Sequence, residues 1–347
     1  MMRVIASPAV NRHNPYNESL YSSVQALGVE VDHFSIKKLL LKHYDIWHFH
    51  WPERMLNDRN FIRSVFRSTA LLAFIYAARL RGTKIVWTVH NLGSHERYYP
   101  KLEAWFWQQF IGCLHGYISL SHTAMAAAQE RFPGLKRLPG FVVPHAHYRH
   151  DYPDDMTAQQ ARAFLGLDPS TPMMLLVGNL RRYKNAPQLV HLFRQLPNRD
   201  YQLYIVGKPS HPDIHVAIEQ EAAADERVHL CLDFIPSDKM QLYLRAATLV
   251  VLPYQEILNS GSALLSLSFD CPVLVPQAGS LAELQDMVGK DWVRTYSGEL
   301  TPDELQRAMD WAIATPRAAQ APLAAFENRT LGKKTIEAYQ AIAASST

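Results

Sequence analysis

The chain has 347 residues, of which 48% are hydrophobic and 19% are charged, and its formal net charge is +3. This length predicts two domains, and this composition argues against a disordered chain. Its three cysteines are far apart, with no CxxC pair and no regular spacing to histidine, which argues against a disulfide framework and a structural zinc site.

The N-terminal segment is not typical of a signal peptide, because Met1-Met2-Arg3 leads directly into a strand-like segment. The longest uninterrupted apolar run, residues 70–78, is too short to span a bilayer. Together with the cysteine pattern, these features predict a protein in the reducing cytoplasm.

Charge is unevenly distributed along the chain. Residues 1–150 carry 18 lysines and arginines against 9 acidic residues, whereas the remainder carries 17 against 23. We therefore expect the two halves of the chain to bind different partners.

The first half alternates predicted strands and helices, which indicates a parallel sheet covered by helices on both faces. Strands are predicted at residues 4–10, 29–34, 44–49, 84–89 and 116–120. In sheets of this kind, ligands bind beyond the carboxyl ends of the strands.

Polar side chains gather at these strand ends. The residues concerned are Asn14, Tyr16 and Asn17 after strand one, His48, His50, Trp51 and Glu53 at strand three, His90 after strand four and His122 after strand five. A single histidine in such a place is usually structural, but histidines at successive strand ends favour the wall of an active site. Metal binding by His48 and His50 is the minor alternative, because the spacing supplies no third ligand. Glu53, His90 and His122 are the candidate proton acceptors.

A basic stripe lies between the third and fourth strands. Arg59, Arg63 and Arg67 recur every four residues beside apolar residues, so they share one face of a predicted helix. This stripe is either a solvated helix face or a contact surface for an anionic membrane. Nucleic acid is not expected as a partner, because no nucleic-acid-binding motif accompanies the charge.

The second half of the chain also alternates predicted strands and helices, which indicates a second Rossmann-like domain. After a predicted linker at residues 141–155, strands are predicted at 173–177, 201–206 and 228–232. The loop after the first of these strands carries Arg181, Arg182 and Lys184, which are suited to binding phosphate oxygens. No GxGxxG sequence is present, so the standard dinucleotide fingerprint is missing.

The segment 249–284 has the order strand, turn, helix, strand, and is therefore a predicted βαβ unit. Its turn, Asn259-Ser260-Gly261-Ser262, precedes an apolar helix predicted at residues 263–269. The first N–H groups of a helix, together with its dipole, favour an anion, so this turn is a candidate diphosphate site. A purely structural role is the alternative, since Ser and Asn are ordinary helix caps and Gly permits a turn.

This arrangement resembles the GT-B glycosyltransferases, and the resemblance covers nearly the whole chain. It is most specific at DIWHFHWPE (45–53), WTVHNLGSHE (87–96), GNLRRYKN (178–185) and the segment 249–284, which resemble bacterial exopolysaccharide glycosyltransferases related to family 4. The resemblance implies an α/β fold with two Rossmann-like domains whose parallel sheets face each other across a cleft. It also implies that Arg181 and Lys184 bind the donor diphosphate, with Arg182 as a further cation.

One departure from family 4 concerns the mechanism. The retaining enzymes of that family carry two glutamates eight positions apart, whereas this chain has Ile257 and Leu265 at those positions and Glu256 one residue early. The altered motif, the length and the NPYN loop (14–17) resemble the inverting β-mannosyltransferases of xanthan-type assembly. An inverting enzyme needs a base on the acceptor side and cations or helix amides at the leaving diphosphate.

The resemblance implies an N-terminal acceptor domain at residues 1–150, a nucleotide-sugar domain at 151–325 and a C-terminal helical segment, 326–347, that returns to the first domain. It implies mannosyl transfer from GDP-mannose to a polyprenyl-diphosphate-linked oligosaccharide at the inner face of the cytoplasmic membrane, with no metal or other cofactor. The implied roles are catalysis by Glu53, His90 or His122; diphosphate binding by Arg181, Lys184, Ser260, Gly261 and Ser262; sugar or nucleoside binding by Tyr254, Glu256, Asn259 and Glu283; and acceptor binding by Asn14, Tyr16, Asn17, His50 and Trp51.

Three alternatives remain from sequence. A retaining transferase would give the opposite product anomer. An epimerase with the same two-domain fold would convert a nucleotide sugar without an acceptor. A non-catalytic protein that binds glycans or membranes would turn over no donor.

Overall fold

A computed structural model describes residues 1–10, 15–56, 58–93 and 98–345. The chain divides into two compact units. Unit 1 comprises Met1–Ala146 and Phe326–Thr347, and unit 2 comprises His147–Ala325. The first boundary between the two units, after Ala146, thus falls four residues before the boundary predicted at residue 150.

Unit 1 is built on a six-stranded parallel sheet. Its strands are β1 (Arg3–Ser7), β2 (Glu30–His33), β3 (Ile46–Phe49), β4 (Lys84–Val89), β5 (Gly116–Ser119) and β6 (Gly140–Val142). Their order across the sheet is β2-β1-β3-β4-β5-β6, so the chain reverses direction across the sheet after β2. The carboxyl ends of the parallel strands lie along one edge, which places the segments after β3 and β4 side by side.

The helices of unit 1 are α1 (Tyr16–Ala26), α2 (Ile36–Leu41), α3 (Phe61–Leu80), α4 (Pro100–Cys113), α5 (His122–Arg131) and, at the end of the chain, α13 (Asn328–Ala344). Helix α13 packs against α1. Its residues Leu331, Ala338, Tyr339 and Ile342 belong to the same buried core as Val4, Val24, Ile46 and Val86. The last helix is therefore part of the hydrophobic core of unit 1.

Helix α3 is long and apolar enough to cross a membrane by length and composition, and 28% of its most apolar window is buried. Core helices of soluble proteins share this length and composition, so α3 by itself does not indicate a membrane span. The uninterrupted apolar run at residues 70–78 is much shorter than α3, because Arg63 and Arg67 interrupt the run without ending the helix.

Unit 2 contains a second six-stranded parallel sheet. Its strands are β7 (Met173–Val177), β8 (Gln202–Val206), β9 (Val228–Cys231), β10 (Leu249–Val251), β11 (Val273–Pro276) and β12 (Val293–Tyr296). Their order is β12-β11-β10-β7-β8-β9. The order reverses between β7 and β10, which is where doubly wound sheets bind ligands.

The helices of unit 2 are α6 (Ala158–Phe164), α7 (Ala186–Phe193), α8 (Pro212–Ala222), α9 (Met240–Ala246), α10 (Gly261–Ser268), α11 (Ser280–Val288) and α12 (Pro302–Ala314). All five residues of β7 and all three of β10 are buried, as expected for central strands of a parallel sheet covered on both faces. The two parallel α/β sheets confirm the predicted fold class within each unit.

The predicted linker at residues 141–155 is wrong at its start. Phe141 and Val142 belong to β6, which pairs with β5. This strand has only three residues and lies at the sheet edge, so its sequence carries too little periodicity to separate it from the Pro- and His-rich segment that follows.

Candidate active site

The candidate site of unit 1 is a cluster of aromatic side chains at the carboxyl edge of its sheet. We define the histidine cluster as His48, His50 and His90. His48 and His50 are two residues apart at the end of β3, and His90 follows β4, so the three side chains project from the same face of neighbouring strands. Helices α1 and α13 cover this face.

A continuous line of hydrogen bonds joins the histidine cluster to the interior of unit 1. His90 Nε2 lies 2.9 Å from His50 Nδ1, and His50 Nε2 lies 2.6 Å from the hydroxyl of Tyr21. The same hydroxyl lies 2.9 Å from His48 Nδ1, and His48 Nε2 lies 2.7 Å from Thr88 Oγ1. The line therefore joins a half-buried strand-end histidine to the fully buried His48.

A second tyrosine reaches the cluster from the C-terminal helix. The Tyr339 hydroxyl lies 2.7 Å from His48 Nδ1, so two hydroxyl groups approach the same ring nitrogen. Sequence analysis missed Tyr21 and Tyr339, because each is a regularly spaced aromatic residue on the buried face of its helix and is indistinguishable from an ordinary core residue.

Burial keeps the histidine cluster uncharged. It lowers the pKa of His48 to about 3, and it lowers the pKa values of His50 and His90 well below the ordinary 6.5. At neutral pH each ring therefore has one N–H donor and one nitrogen lone pair. A neutral imidazole with a lone pair toward the substrate is chemically able to accept a proton from a hydroxyl group.

Aromatic rings surround His90. Trp51 stacks on it with ring centroids 4.3 Å apart, and Tyr16 meets it edge-on at 5.2 Å. Tyr16 also lies 4.4 Å from the ring of His145, which follows β6. The predicted residues Tyr16, His50, Trp51 and His90 therefore lie together.

Glu53 lies apart from this line of hydrogen bonds, in a 3-10 helix at Pro52–Leu56, and its side chain is buried. The amide nitrogen of Asn91 donates to its carboxylate at 3.0 Å. Burial raises the pKa of Glu53 to about 7, which places its titration near neutral pH. A carboxyl group with such a pKa is suited to general acid–base chemistry.

The other predicted residues of unit 1 have different surroundings. His122 is exposed as the first residue of α5, whose cap is Ser121, and it is not a member of the histidine cluster as defined above. Asn17 is fully buried, and its amide nitrogen donates to the Pro8 carbonyl at 2.5 Å. Asn14 lies outside the described residues.

The candidate site of unit 2 centres on Lys184. This residue ends a 3-10 turn between β7 and α7, and its side chain is buried although it carries an amine. The amine nitrogen lies 3.4 Å from the Val177 carbonyl oxygen and 3.3 Å from Ser262 Oγ. Burial lowers the pKa of Lys184. A buried cation of this kind gains most from an anionic partner.

Gly178 makes room for this amine. It has a φ of +103°, and a Cβ atom at this position would lie 3.0 Å from Lys184 Nζ. The glycine therefore combines a left-handed turn after β7 with the close approach of the amine.

The N-terminus of α10 lies beside the same amine. Ser260 caps the helix and accepts a hydrogen bond from the Ala263 backbone at 3.3 Å, while Gly261 and Ser262 form the first turn. The first N–H groups of a helix have no partner within the helix. The Lys184 amine and this turn, Ser260–Ser262, together make a site suited to an anion, which we call the Lys184 site.

The remaining predicted residues of unit 2 surround or flank the Lys184 site. Tyr254 is buried and its ring lies 5.6 Å from the Lys184 amine, whereas Glu256 is exposed. Glu283 is half-buried in the first turn of α11, and Asn259 precedes the cap of α10. Arg181 is half-buried, and Arg182 is exposed and forms an ion pair with Asp213 at 2.6 Å.

A cavity of about 670 Å³ in unit 2 is lined in part by Tyr254, whose ring lies beside the Lys184 amine. It is lined by the start of α7 and by the segments after β10, β11 and β12, and the uncharged polar side chains among its walls are Asn185, Gln188, Gln255, Gln277 and Ser297. One carboxylate, Glu299, also lines it. Such walls suit an uncharged group with many hydroxyls or ring nitrogens.

Comparison with known proteins identifies the family. The model for "Glycosyl transferases group 1" matches residues 171–314. The chain is 30% identical over 304 residues to the GDP-mannose:glycolipid 4-beta-D-mannosyltransferase of Xanthomonas campestris pv. campestris, a match that covers 88% of this chain and 81% of that relative.

Solved structures give the same fold. A glycosyltransferase from Rickettsia africae has a TM-score of 0.67 at 11% identity and covers 99% of both chains. Sucrose-phosphate synthase from Thermosynechococcus elongatus has a TM-score of 0.65 at 17% identity and covers 99% of this chain and 95% of that one. The two parallel sheets are those of GT-B enzymes, as the sequence predicted. The chain belongs to the glycosyl transferases group 1 family and is a nucleotide-sugar-dependent glycosyltransferase.

Proposed function

We propose that this enzyme transfers mannose from GDP-mannose, with inversion to a β-linkage, onto a polyprenyl-diphosphate-linked oligosaccharide in exopolysaccharide synthesis. The observation that carries this proposal is the 30% identity, across 88% of the chain, to a relative whose name states a GDP-mannose donor and a glycolipid acceptor. That match is long enough to include residues of both units.

The Lys184 site of unit 2 would hold the donor diphosphate. The buried amine of Lys184, the cation of Arg181 and the first turn of α10 at Ser260–Ser262 supply positive charge and N–H donors. These groups would stabilise the charge that develops on the leaving diphosphate, as a metal ion does in other enzymes. The proposed reaction therefore uses no metal.

The cavity beside Tyr254 would take an uncharged part of the donor. Its amide and hydroxyl side chains match the hydroxyls of a sugar or the polar edge of a base. Asn259, Glu256 and Glu283 remain proposed donor contacts on the strength of the family resemblance.

His90 would be the general base of unit 1. It is uncharged at neutral pH, only half-buried, and held between Trp51 and His50. Tyr16, Asn14, Asn17, His50 and Trp51 would shape the acceptor side, although Asn17 could act only indirectly because it is fully buried.

Glu53 is the second candidate base, favoured by its pKa of about 7. The pH dependence of kcat separates the two candidates. A rate that rises with pH through about 7 and loses this dependence in Glu53→Gln assigns the base to Glu53. A rate that is flat across this range and falls at least roughly a hundredfold in His90→Gln assigns it to His90. His122→Gln tests the third predicted proton acceptor, His122, in the same assay.

Inversion is supported by the residues at the retaining motif. Leu265 is buried within α10, where family 4 carries its second glutamate, so this side chain offers no carboxylate. The decisive measurement is NMR of the product made from GDP-mannose and a synthetic polyprenyl-diphosphate glycan. A β-anomer supports the proposal, an α-anomer refutes inversion, and turnover with UDP-sugars alone refutes the donor.

The membrane face of the enzyme would be α3. Ile62 and Phe66 are 77% and 71% exposed, and Arg63 and Arg67 lie on the same turns. An exposed apolar stripe beside arginines matches the chemistry of an anionic bilayer surface. We propose a cytoplasmic enzyme bound peripherally to the inner face of the cytoplasmic membrane.

A further inference from the structure

Unit 1 contains a groove of about 510 Å³ along α4, which we call the α4 groove. It lies between α4 and the segment that joins α5 to β6. The C-terminal end of α4 precedes β5, and this segment precedes β6, so both walls end at the amino edge of the parallel sheet. The histidine cluster lies at the carboxyl edge. The α4 groove is therefore separate from the histidine cluster.

One face of α4 forms the first wall of the groove. Ala104, Gln108 and Gly112 recur every four residues, line the groove and are exposed. From Ala104 to Gly112 this face extends for about 12 Å along the helix. Because Ala104 has a small side chain and Gly112 has none, the wall is open along most of this length.

The floor of the groove is apolar. It is formed by the buried side chains of Trp107, Ile111, Leu114 and Phe132. The indole nitrogen of Trp107 donates to Glu103 Oε1 at 3.4 Å, so this floor needs no hydrogen bond from a ligand. A floor of this kind suits a hydrocarbon chain.

Two arginines lie at the opposite wall. Arg131 ends α5, and Arg137 ends the 3-10 helix Pro133–Arg137. Both are exposed, and neither forms an ion pair within the part of the chain that the structure describes. The Arg131 guanidinium lies over the ring of Phe132, 5.0 Å from its centroid, and so stays beside the apolar floor. No carboxylate of a described residue lines the groove, so the charge of its walls is positive.

An apolar floor beside unpaired guanidinium groups matches a ligand with a hydrocarbon chain and an anionic head. Guanidinium groups bind phosphate oxygens with two parallel hydrogen bonds, and a hydrocarbon chain gains free energy when it leaves water for the floor. Inorganic phosphate would fill only the charged part of the groove. A zwitterionic head would bring a second cation toward the arginines.

The surroundings of the groove favour a membrane lipid as the source of such a ligand. Trp105 is 38% exposed and lies three residues from Gln108, hence on a neighbouring part of the same helix surface. Exposed tryptophan is typical of protein surfaces at the level of lipid head groups. The C-terminal end of α3 adjoins the groove, since Arg79 donates to the Gly112 carbonyl at 3.3 Å, and the next residue, Leu80, is 90% exposed.

We propose that the α4 groove binds one anionic phospholipid, with an acyl chain over Trp107 and Ile111 and the phosphate at Arg131 and Arg137. This inference goes beyond the proposed function, because the lipid is neither the sugar donor nor the sugar acceptor. It would give the enzyme a contact with a single lipid molecule in addition to the contact of α3 with the bilayer surface.

The first test uses short-chain lipids that stay monomeric in solution, so that binding to a bilayer surface does not contribute. Calorimetric titration of the wild-type enzyme compares dihexanoyl-phosphatidylglycerol with dihexanoyl-phosphatidylcholine and with glycerol 3-phosphate. We expect the anionic lipid to bind at least roughly tenfold more tightly than either of the others, because only it has both the chain and the net negative charge.

The second test fills the groove. A Cβ atom on Gly112 meets nothing within 4 Å, so Gly112→Leu adds a side chain in the space that the acyl chain would occupy. Leucine also favours a helix more than glycine does, so the melting temperature should not fall. We expect binding of dihexanoyl-phosphatidylglycerol to weaken at least roughly tenfold. Ala126→Leu is the matched control, because it adds the same side chain to an exposed position of α5 that does not line the groove.

The third test removes the charges. Arg131→Gln combined with Arg137→Gln should weaken binding of dihexanoyl-phosphatidylglycerol at least roughly tenfold and leave dihexanoyl-phosphatidylcholine unaffected. Lys101→Gln is the control, since Lys101 is an exposed cation of α4 outside the groove. GDP affinity should be unchanged in all these variants, so loss of lipid binding is distinguishable from failure of the proposed function.

Four results would overturn the inference. They are equal binding of the two short-chain lipids, unchanged lipid binding in folded Gly112→Leu, unchanged lipid binding in the double arginine variant, and tighter binding of geranyl phosphate than of dihexanoyl-phosphatidylglycerol. The last result would assign the groove to a prenyl lipid. A dimer in sedimentation velocity that Gly112→Leu dissociates would also overturn it, because the groove would then be covered by a second copy of the chain.

Discussion

The amine nitrogen of Lys184 lies 3.3 Å from the hydroxyl oxygen of Ser262, although the two residues are 78 positions apart in sequence. One residue ends the loop after β7, and the other belongs to the first turn of α10. The reversal of strand order between β7 and β10 brings these segments together. A buried cation and a helix N-terminus therefore meet where an anionic ligand is expected to bind.

The first prediction concerns Lys184→Met, which removes the charge and keeps an unbranched side chain. Burial lowers the pKa of Lys184, so the charged amine is less stable in the folded protein than in the unfolded chain. We expect the variant to have a higher melting temperature and roughly ten- to a hundredfold weaker GDP binding. Calorimetric titration and thermal unfolding measure the two effects.

The control for this prediction is Arg182→Met, since Arg182 is exposed and paired with Asp213. The melting temperature of Arg182→Met is expected to change little. Its GDP affinity is expected to fall by a smaller factor than the GDP affinity of Lys184→Met. In the wild type, GDP binding should weaken as pH rises through the lowered pKa of Lys184, and this dependence should disappear in Lys184→Met. Equal GDP affinity in wild type and Lys184→Met would contradict the diphosphate assignment.

The second prediction concerns the pH dependence of stability. Burial raises the pKa of Glu53 from 4.5 to about 7, so between these values the folded protein binds a proton more tightly than the unfolded chain does. Glu53 therefore lowers the free energy of unfolding as pH rises from about 4.5 to 7, by about 3 kcal/mol in total. Urea unfolding at pH 5 and pH 8 should show a smaller difference in Glu53→Gln than in the wild type. The control is Glu256→Gln, because Glu256 is exposed, and it should show the same pH 5 to pH 8 difference in the free energy of unfolding as the wild type. A wild-type difference no larger than that of Glu53→Gln would refute the effect.

The third prediction concerns the close approach at Gly261. A Cβ atom on Gly261 would lie 2.9 Å from the Tyr148 hydroxyl oxygen, and Tyr148 is buried. We expect Gly261→Ala to lower the free energy of unfolding by about 1–3 kcal/mol and to weaken GDP binding, because the first turn of α10 must shift.

Tyr148→Phe should relieve this clash, since it removes the oxygen that the new methyl group meets. A double-mutant cycle with Gly261→Ala is therefore expected to give a favourable coupling. Gly112→Ala is the control, because a Cβ atom there meets nothing within 4 Å. Strictly additive effects at positions 261 and 148 would show that the contact does not limit the substitution.

The fourth prediction concerns the membrane face. Ile62→Ser combined with Phe66→Ser removes two exposed apolar side chains from α3 and should reduce sedimentation with vesicles that contain anionic phospholipid. Arg63→Glu should reduce it further at low salt and less at high salt, as screening predicts. Phe164→Ser removes an equally exposed aromatic residue from α6 and should leave sedimentation unchanged. Unchanged binding in all variants would exclude α3 as the contact surface.

The sequence predicted the two sheets because central strands such as Met173–Val177 are uninterrupted apolar runs between turn signals. It also predicted that Lys184 and the turn at Ser260–Ser262 serve one site, since both follow strands at the point where the sheet order reverses. Three-residue β6 escaped prediction because so short a strand has no detectable period. Tyr21 escaped because a hydrogen bond to His50, 29 positions away, depends on how α1 packs on the sheet, and no local pattern encodes that packing.

The return of α13 to unit 1 has a consequence for biosynthesis. Leu331, Ala338, Tyr339 and Ile342 fill the core around Val4 and Ile46, so this core cannot close until residues 328–344 have left the ribosome. All of unit 2, by contrast, has been translated before that point. The domain encoded first is thus expected to reach its native state last, and nascent chains that stall before residue 328 should expose the β1–β3 core to chaperones and proteases.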